Sequence, residues 1–260
     1  MLRPPLKWAG GKRWLIPYLV PLWQPHGYRR LVEPFCGGLA VALSLRPKRA
    51  LLNDANPHLV NFMRKLKEGF RLSACAIDMQ NDKDLYYLHR ARFNRLIADG
   101  RWDSDEAAAL FYYLNRTGYN GLCRFNKSGE FNVPFGRYRS IRYERDFTAY
   151  KDAFSEWEFA CGDFGELLTG EGDFIYADPP YDVQFTQYSK GGFAWEDQVR
   201  LAHWLAKHPG PVVASNQATP RIVELYQDLG FTLQFLDAPR MISCNGNREY
   251  VREILGQKNV

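Results

Sequence analysis

The sequence lacks any run of 18 or more apolar residues, and this absence excludes a transmembrane helix. Cysteine is scarce, with five residues spread widely along the chain of 260 and no Cys-x-x-Cys pair among them. An odd number of distant cysteines indicates reduced thiols, so we expect a cytoplasmic protein. His203 and His208 do not have the usual spacing of metal ligands, and we expect no metal site.

Carboxylates are missing from the first 32 residues, which contain six lysines or arginines. Over the whole chain, 34 lysines and arginines face 29 aspartates and glutamates, which gives a formal net charge of +5. With 46% hydrophobic residues and a mean hydropathy of −0.41, the composition is typical of a globular protein. The paired glycines of LKWAGGK interrupt any amphipathic helix, so we do not expect the basic start to be a transit peptide.

Internal repeats and low-complexity segments are absent too, and strand and helix patterns alternate at both ends of the chain. YRRLVEPF predicts a strand, CGG a turn, LAVALSL the start of a helix and RALLND a second strand. This βαβ pattern predicts parallel strands joined by a right-handed crossover. The alternation resumes with WEFACGDF, DFIYA, PVVASN and FTLQFLDA, so the fold class is α/β.

An insert separates the two parts of this α/β pattern. Residues 56–117 are predicted to be largely helical, with DSDEAAALFYYLNR the clearest case. LCRFN and EFNVPF are extended runs on either side of KSG, which predicts a β-hairpin whose turn is supplied by Gly129. We therefore expect a core of residues 1–55 and 146–260 and an inserted domain of residues 56–145.

A turn with two glycines, EPFCGG, follows the first predicted strand. Glycines there allow the backbone to approach a ligand. Asp54 ends the second predicted strand, where a carboxylate can accept hydrogen bonds from two ribose hydroxyls. Together these features indicate a nucleoside ligand, although Asp54 alone fits a cap or turn residue equally well. KWAGGK lacks the spacing of a phosphate-binding loop, and its basic turn could hold a carboxylate instead.

The predicted hairpin region, residues 118–145, combines basic and aromatic side chains. They are Arg124, Lys127, Arg137, Arg139, Arg142 and Arg145, with Tyr119, Phe125, Phe131, Phe135, Tyr138 and Tyr143. Such a mixture suits phosphate contacts, reading of base edges and stacking on bases. The alternative is a solvated surface whose aromatic residues turn into the core.

The segment DFIYADPPYD ends a predicted buried strand with Asp178, Pro179, Pro180 and Tyr181. Neither proline can continue the strand, so Asp178 and Tyr181 are displayed at its carboxyl end. A carboxylate and the Pro179 carbonyl can each accept one hydrogen of an exocyclic base amine, while Tyr181 can stack on a flipped base. A simple strand-terminating turn is the alternative. Methylation at cytosine carbon 5 needs a Pro-Cys pair, which this sequence lacks.

The chain resembles the alpha-type, Dam-like DNA adenine methyltransferases over nearly its whole length. The matching segments are KWAGGK, EPFCGG, LLNDAN, LNRTGYNGLCRFNKSGEFNVPFGRY, CGDF, DPPY, VVASN and ISCNGNR. The resemblance implies a Rossmann-like core that uses S-adenosylmethionine, with residues 56–145 as a target-recognition domain. It also implies methyl transfer to the 6-amino group of a flipped-out adenine in double-stranded DNA, with S-adenosylhomocysteine as the second product.

The same resemblance implies roles for individual residues. Cofactor binding falls to Trp8, Ala9, Gly10, Lys12, Phe35, Gly37, Asp54, Asp163, Phe164 and Asp178. The catalytic turn is Asp178, Pro179, Pro180 and Tyr181. DNA contacts fall to Lys7, Tyr119, Asn120, Leu122, Arg124 and Pro134, joined by Arg137 and Tyr138 of the hairpin region. Leu39 departs from the family pattern Phe-x-Gly-x-Gly, because it occupies the second glycine position.

The hairpin match predicts GATC as the recognition sequence. We expect a monomer, without a metal ion, in a bacterial cell or a virus-infected one, and a companion restriction endonuclease stays open. Two other functions also stay open. DPPY fits enzymes that methylate the exocyclic amine of cytosine or an adenine of RNA, and a DNA-binding regulator could keep this fold without turnover.

Overall fold

The computed structural model describes residues 2–182, 193–238 and 251–260, which form a seven-stranded sheet and its surrounding helices. The strands are β1 Arg30–Glu33, β2 Ala50–Asp54, β3 Trp157–Cys161, β4 Asp173–Ala177, β5 Val212–Gln217, β6 Thr232–Ala238 and β7 Val251–Lys258. Their order in the sheet is β3-β2-β1-β4-β5-β7-β6. The first five strands are parallel, whereas β7 is antiparallel to β5 and β6. The strand order reverses between β1 and β4, where open α/β sheets bind ligands.

α-Helices lie before β1 and in the connections β1–β2, β2–β3, β4–β5 and β5–β6. In the described residues they are α1 Ile16–Trp23, α2 Ala40–Leu45, α3 Pro57–Glu68, α4 Lys83–Ala98, α5 Asp105–Thr117, α6 Thr148–Ala153, α7 Trp195–Ala206 and α8 Pro220–Asp228. Four of them begin after a polar side chain that accepts hydrogen bonds from free backbone N–H groups. These caps are Asn56 for α3, Asp82 for α4, Ser104 for α5 and Thr219 for α8.

Alternate residues of the central strands enter two separate buried clusters, so one cluster lies on each face of the sheet. Leu31 and Leu52 belong to the first cluster, together with buried residues of α3, α4 and α5. Val32 and Leu51 belong to the second cluster, together with buried residues of α7 and α8. Because both faces are covered, nearly all residues of the central strands β1, β2, β4 and β5 are buried.

The predicted α/β arrangement is confirmed, and the segment predicted as a hairpin also pairs. Phe125 and Phe131 form an antiparallel bridge, and the Asn126 N–H donates to the Glu130 carbonyl at 2.9 Å. Gly129 takes a φ of +79° in the turn between them, a conformation that glycine adopts without strain.

The first helix after β2 packs on the sheet itself. Arg64 donates to the Phe159 carbonyl from Nε at 3.0 Å and from Nη2 at 2.7 Å, and Lys67 Nζ donates to the Trp157 carbonyl at 2.6 Å. Helix α3 therefore belongs to the layer that covers the sheet, and the first buried cluster continues from it into α4 and α5. The division into a core and an insert of residues 56–145 stays a prediction.

Leu39 lies in the left-handed region of backbone space, with φ +64° and ψ +26°, directly before α2. A residue with a Cβ costs about 1–2 kcal/mol in this region. The Leu39 side chain is 0% exposed within the first buried cluster, and burial of a leucine stabilises by about 1.5–3 kcal/mol. Burial of the side chain therefore offsets the backbone strain. Position 39 keeps a backbone conformation typical of glycine although its residue is leucine.

Leu39→Ala and Leu39→Gly separate these two contributions. Both remove the buried side chain, at a cost of about 2–5 kcal/mol for alanine, but only glycine relieves the positive φ. We expect the glycine variant to be about 1 kcal/mol more stable than the alanine variant in urea unfolding. Ala42→Gly within α2 is the control, because there glycine should be the less stable residue by about 0.5–1 kcal/mol. An alanine variant at Leu39 that is more stable than the glycine variant contradicts the proposed strain.

Candidate functional site

Several motifs meet at the edge of the sheet where the strand order reverses. Glu33 ends β1, Asp54 ends β2, Asp178 directly follows β4, and Ser215 lies in the neighbouring β5. The carboxyl ends of parallel strands lie at the same edge of a sheet. EPFCGG, LLNDAN and DPPY are therefore neighbours in space.

The KWAGGK segment packs against the EPFCGG loop. A Cβ on Gly37 would lie 2.7 Å from Trp8 Nε1, and a Cβ on Gly38 would lie 2.7 Å from Trp8 Cβ. Both positions therefore need glycine, and Gly37 also has a φ of +46°. Ala9 and Gly10 form an exposed turn directly after Trp8. Trp8 and Gly37, two of the predicted cofactor residues, are thus in direct contact.

Asp54 holds the loops at the ends of β1 and β2. Its Oδ2 accepts a hydrogen bond from the Gly37 N–H at 3.1 Å, and its Oδ1 accepts one from the Asn56 N–H at 2.9 Å. Burial raises the pKa of Asp54, while these two N–H groups oppose that shift. Asp54 therefore acts as a turn residue, and each carboxylate oxygen retains a second lone pair for a ligand.

An aromatic cluster lies beyond β3. The Phe35 and Phe164 ring centroids are 5.7 Å apart, and Phe193 lies 5.4 Å from Phe35 and 6.1 Å from Phe164. Asp163, before Phe164, pairs with both terminal nitrogens of Arg200, at 2.6 and 2.7 Å. Arg200 lowers the pKa of Asp163 and also lies over the Phe164 ring, 4.1 Å from its centroid. Three predicted cofactor residues are therefore adjacent.

Asp178 is the end of a short chain of hydroxyl groups. Its Oδ1 accepts a hydrogen bond from Ser215 Oγ at 2.8 Å, and Ser215 Oγ lies 2.9 Å from the Tyr176 hydroxyl. A carboxylate only accepts hydrogen bonds, so the single hydrogen of Ser215 points to Asp178 and Tyr176 donates to Ser215. Lys12 Nζ lies 3.1 Å from the same Oδ1. Burial raises the pKa of Asp178, whereas Lys12 and Ser215 oppose this shift and favour the carboxylate.

Lys12 is 6% exposed and joins the catalytic turn to β7. Its Nζ lies 3.8 Å from Glu253 Oε2, donates to the Tyr181 hydroxyl, and is 4.3 Å from the Tyr181 ring centroid. Burial raises the pKa of Glu253, and Lys12 opposes that shift. Lys12, which the family resemblance assigned to the methionine part of the cofactor, therefore also contacts two residues of the DPPY turn, Asp178 and Tyr181.

The groups at this edge fit a cationic nucleoside such as S-adenosylmethionine. The buried Glu33 Oε1 lacks a hydrogen-bond partner among the described residues, and burial followed by the nearby Asp178 raises the pKa of this carboxyl. It is an acceptor available to a positively charged ligand. The glycines beside Trp8, the Asp54 carboxylate and the Phe164 cluster supply a loop, a ribose acceptor and an aromatic surface.

Lys7 ties the amino-terminal segment to α5 and the hairpin region. The Lys7 N–H donates to Asn115 Oδ1 at 2.9 Å, and Asn115 Nδ2 donates to the Lys7 carbonyl at 2.8 Å. Lys7 Nζ donates to the Arg116 carbonyl at 2.8 Å. Lys7 Nζ also lies 3.6 Å from the Tyr138 ring centroid. Burial, followed by the charge of Arg116, lowers the pKa of Lys7 to about 8. Two of the predicted DNA contacts, Lys7 and Tyr138, are therefore neighbours.

The remaining predicted DNA contacts surround the hairpin. Tyr119 is 49% exposed, and its N–H donates to the Pro134 carbonyl at 2.9 Å. Arg124 is exposed, and its Nε donates to Asn132 Oδ1 at 2.7 Å across the hairpin. Leu122 is partly buried against the first cluster. Positive φ angles at Asn120 (+52°) and Arg137 (+48°) mark tight bends at two further exposed positions.

The aromatic residues of this region divide between the two expected arrangements. Phe131 is buried, Phe125 stacks on His58 with centroids 4.8 Å apart, and Tyr143 stacks on Tyr113 at 6.0 Å. These residues belong to the core, as the alternative interpretation expected. Only Tyr119 is among the large exposed hydrophobic residues of this region that the structure describes.

Ser215, Glu253 and Arg200 also lie at the site, although the sequence assigned no role to them. Ser215 stands within the matched segment VVASN, which was its only signal. Glu253 is one of several charged or polar residues of β7, a weak signal, and Arg200 is one charge of an amphipathic helix. The matched segment ISCNGNR, with Cys244, lies outside the described residues.

None of the helices in residues 2–182, 193–238 and 251–260 is both long and apolar enough to span a bilayer. No group of three or more His, Cys, Asp and Glu side chains in these ranges is arranged to hold a metal ion. The four described cysteines are free thiols, with Cys36 buried and Cys161 exposed.

Comparison with known proteins gives a consistent result. The model of the D12 class of N6 adenine-specific DNA methyltransferases matches residues 8–242. The chain is 35% identical to the DNA adenine methylase of Escherichia coli K12 over 267 residues, 96% of this chain and 93% of that protein. It is 37% identical to the DNA N-6-adenine-methyltransferase of Escherichia phage P1 over 96% of its own length but only 34% of the phage protein.

Among solved structures, the tRNA (m1A58) methyltransferase of Aquifex aeolicus superposes with a TM-score of 0.41 at 10% identity, covering 99% of this chain and 72% of that one. The family assignment does not depend on this likeness. It follows from the extent of the family match and from the identity to the methylases over nearly the full length. The chain therefore belongs to the D12 class of N6 adenine-specific DNA methyltransferases, which use S-adenosylmethionine as methyl donor.

Proposed function

We propose that Asp178 and the Pro179 carbonyl each accept one hydrogen of the adenine 6-amino group and so activate its nitrogen. The position of Asp178 supports this proposal. It directly follows β4, and its Oδ1 lies 3.1 Å from Lys12 Nζ and accepts a hydrogen bond from Ser215 Oγ at 2.8 Å. Because both described contacts of the carboxylate are to Oδ1, we assign the amine hydrogen to Oδ2. Two acceptors draw the nitrogen lone pair out of the ring and place the amine for attack.

S-adenosylmethionine supplies an electrophilic methyl group when it is bound. The amine nitrogen would attack the methyl carbon in line, so that the carbon–nitrogen bond forms as the carbon–sulfur bond breaks and S-adenosylhomocysteine leaves. The proton of the amine would pass to the Asp178 carboxylate after the methyl group has arrived, so neither a covalent enzyme intermediate nor a strong base is needed. We propose that the cofactor is held by Trp8, Ala9, Gly10, Lys12, Phe35, Gly37, Asp54, Asp163 and Phe164. The packing of Trp8 on Gly37, the hydrogen bond from Gly37 to Asp54 and the contact of Phe35 with Phe164 support this assignment.

Tyr181 is proposed to carry the flipped adenine. Lys12 contacts its hydroxyl and one face of its ring, which holds the ring beside Asp178. The other face is then the surface on which the base stacks. Stacking of a flipped base on an aromatic side chain is the usual way in which enzymes of this kind hold their target.

Residues 56–145 are proposed as the target-recognition domain for GATC. Tyr119 and Asn120 would enter the DNA helix beside the flipped base, because both are exposed at the start of the hairpin region. We assign base reading to Leu122, Arg124 and Pro134, with Arg124 on a guanine. Lys7, Arg137 and Tyr138 are assigned to contacts beside them.

The setting of the enzyme is a further part of the proposal. Relatives occur in Escherichia coli and in a phage that infects it. We propose that the protein acts as a monomer in the cytoplasm of a bacterial or phage-infected cell. A companion restriction endonuclease is tested by digesting unmethylated and methylated DNA with an extract of that cell.

Mapping of the methylated base tests the function directly. Purified enzyme, methyl-labelled S-adenosylmethionine and unmethylated duplex DNA should give N6-methyladenine located in GATC sites. A duplex with GATC changed to GTTC is the control, and it should incorporate no label. Label in another motif rejects the roles of Leu122, Arg124 and Pro134. Label in cytosine rejects the adenine 6-amino group as the methyl acceptor.

Asp178→Ala and Asp178→Asn test the catalytic carboxylate. Both remove the negative charge that accepts the amine hydrogen, and asparagine keeps the shape of the side chain. We expect the single-turnover rate to fall by about 10²- to 10³-fold or more, with DNA affinity nearly unchanged. The exposed Asp228→Asn is the control for loss of one charge. A variant at Asp178 with a rate near that of the wild type removes the proposed role.

The lowered pKa of Lys7 predicts a pH dependence of DNA binding. With a pKa of about 8, Lys7 is charged at neutral pH and loses its proton as the pH rises through that value. Its attraction to DNA is therefore present below about pH 8 and is lost above it.

The measurement is the dissociation constant of a GATC duplex between about pH 7 and pH 9 at constant ionic strength. A group of this pKa weakens binding by up to about tenfold over that range. Lys7→Arg keeps its charge and should show a flatter curve. Parallel curves for the two proteins contradict a contribution from the Lys7 charge.

A further inference from the structure

Two buried amide side chains hold the catalytic turn from behind. Gln198 of α7 is 1% exposed and Asn216 of β5 is 0% exposed. Gln198 Nε2 donates to the Pro180 carbonyl at 2.7 Å, and Asn216 Nδ2 donates to Gln198 Oε1 at 2.9 Å. The Gln217 N–H donates to Asn216 Oδ1 at 2.8 Å. A continuous chain of hydrogen bonds thus runs from the backbone of β5 to the DPPY turn.

The direction of this chain is fixed at its origin. A backbone N–H can only donate, so the Asn216 oxygen must face Gln217 and its NH₂ group must face Gln198. Because the Asn216 NH₂ group donates, the Gln198 oxygen must face Asn216 and the Gln198 NH₂ group must face the Pro180 carbonyl. Neither amide can flip without leaving buried polar groups unpaired, which is costly in the interior of a protein.

The two prolines make the DPPY turn dependent on hydrogen bonds to its carbonyl groups and side chains. Pro179 and Pro180 have no N–H group, so the backbone of the turn cannot be held through donors of its own at these positions. It is held instead through side chains and through the Pro180 carbonyl. Ser215 and Lys12 bind Asp178, Gln198 binds the Pro180 carbonyl, and Arg221 pairs with Asp182, with Nε 2.5 Å from Oδ2.

We propose that Gln198 and Asn216 are positioning residues for methyl transfer, which act by fixing the direction of the Pro179 carbonyl. This inference rests on the proposed function, in which that carbonyl accepts an amine hydrogen. The Pro180 ring locks its φ, so only ψ of Pro180 separates the plane of the Pro179 carbonyl from that of the Pro180 carbonyl. A hydrogen bond to the second carbonyl therefore limits the direction of the first. A displacement of about 1 Å at a reacting group can cost about 10²-fold in rate.

Gln198→Glu is the sharpest test, because it keeps the size of the side chain and makes its ability to donate depend on pH. The ionised carboxylate cannot donate to the Pro180 carbonyl. The protonated carboxyl can donate through its hydroxyl and still accept from Asn216, and burial raises the pKa of such a carboxyl. We expect a single-turnover rate about 10²-fold below that of the wild type at high pH. As the pH falls and the carboxyl becomes protonated, the ratio of the Gln198→Glu rate to the wild-type rate should rise toward one.

Gln198→Met removes the donor without adding a charge, and it keeps the test decisive if the glutamate variant does not fold at high pH. Its rate should be reduced by about the same factor at every pH. Affinities for S-adenosylmethionine and for the DNA duplex, measured separately, should stay within about twofold of the wild type in both variants. Gln227→Glu, at an exposed position of α8, is the control for the added charge and should match the wild type.

A wild-type rate in Gln198→Met, or a loss of rate matched by an equal loss of cofactor affinity, overturns the positioning role. So does a Gln198→Glu rate whose ratio to the wild type is independent of pH. Asp178→Asn measured in the same assay separates this inference from the proposed function. If Asp178→Asn keeps its activity, the amine activation fails; if only the Gln198 variants do, the positioning role alone fails.

Discussion

The ion pair between Lys12 and Asp178 is the contact on which the rest of the site depends. Both side chains are largely buried, with 3.1 Å between Nζ and Oδ1. Loss of one partner of a buried pair leaves the other as an uncompensated charge, which is strongly destabilising. The same lysine that favours the ionised form of Asp178 therefore joins the amino-terminal segment to the DPPY turn and, through Glu253, to β7.

The KWAGGK segment connects three parts of the enzyme within six residues. Lys7 reaches the hairpin region through Arg116 and Tyr138, Trp8 covers the glycine loop of the cofactor site, and Lys12 contacts the DPPY turn. The residues proposed for DNA recognition, cofactor binding and catalysis are therefore linked through one short stretch of backbone. This explains why a segment that fails as a phosphate-binding loop is nevertheless at the centre of the site.

The sequence predicted the parts of the site that are continuous and stand at strand ends. Asp54 and Asp178 were identifiable because each follows a strand pattern, and the carboxyl ends of parallel strands meet. Gln198, Ser215 and Glu253 were not, because each is one of several polar residues in its helix or strand, and only the folded sheet brings it to the turn. The antiparallel direction of β7, which starts at this edge, was equally invisible. The sequence also did not predict the core shared by the sheet and residues 56–145, because this core depends on tertiary packing of aromatic residues.

A crystal structure of the enzyme with a GATC duplex and a non-reactive S-adenosylmethionine analogue tests the central claim most directly. The flipped adenine should place its 6-amino nitrogen about 3 Å from both Asp178 Oδ2 and the Pro179 carbonyl oxygen, with Lys12 still on Oδ1. An amine that contacts neither acceptor, or a Lys12 that has left Asp178 for the cofactor, contradicts the account.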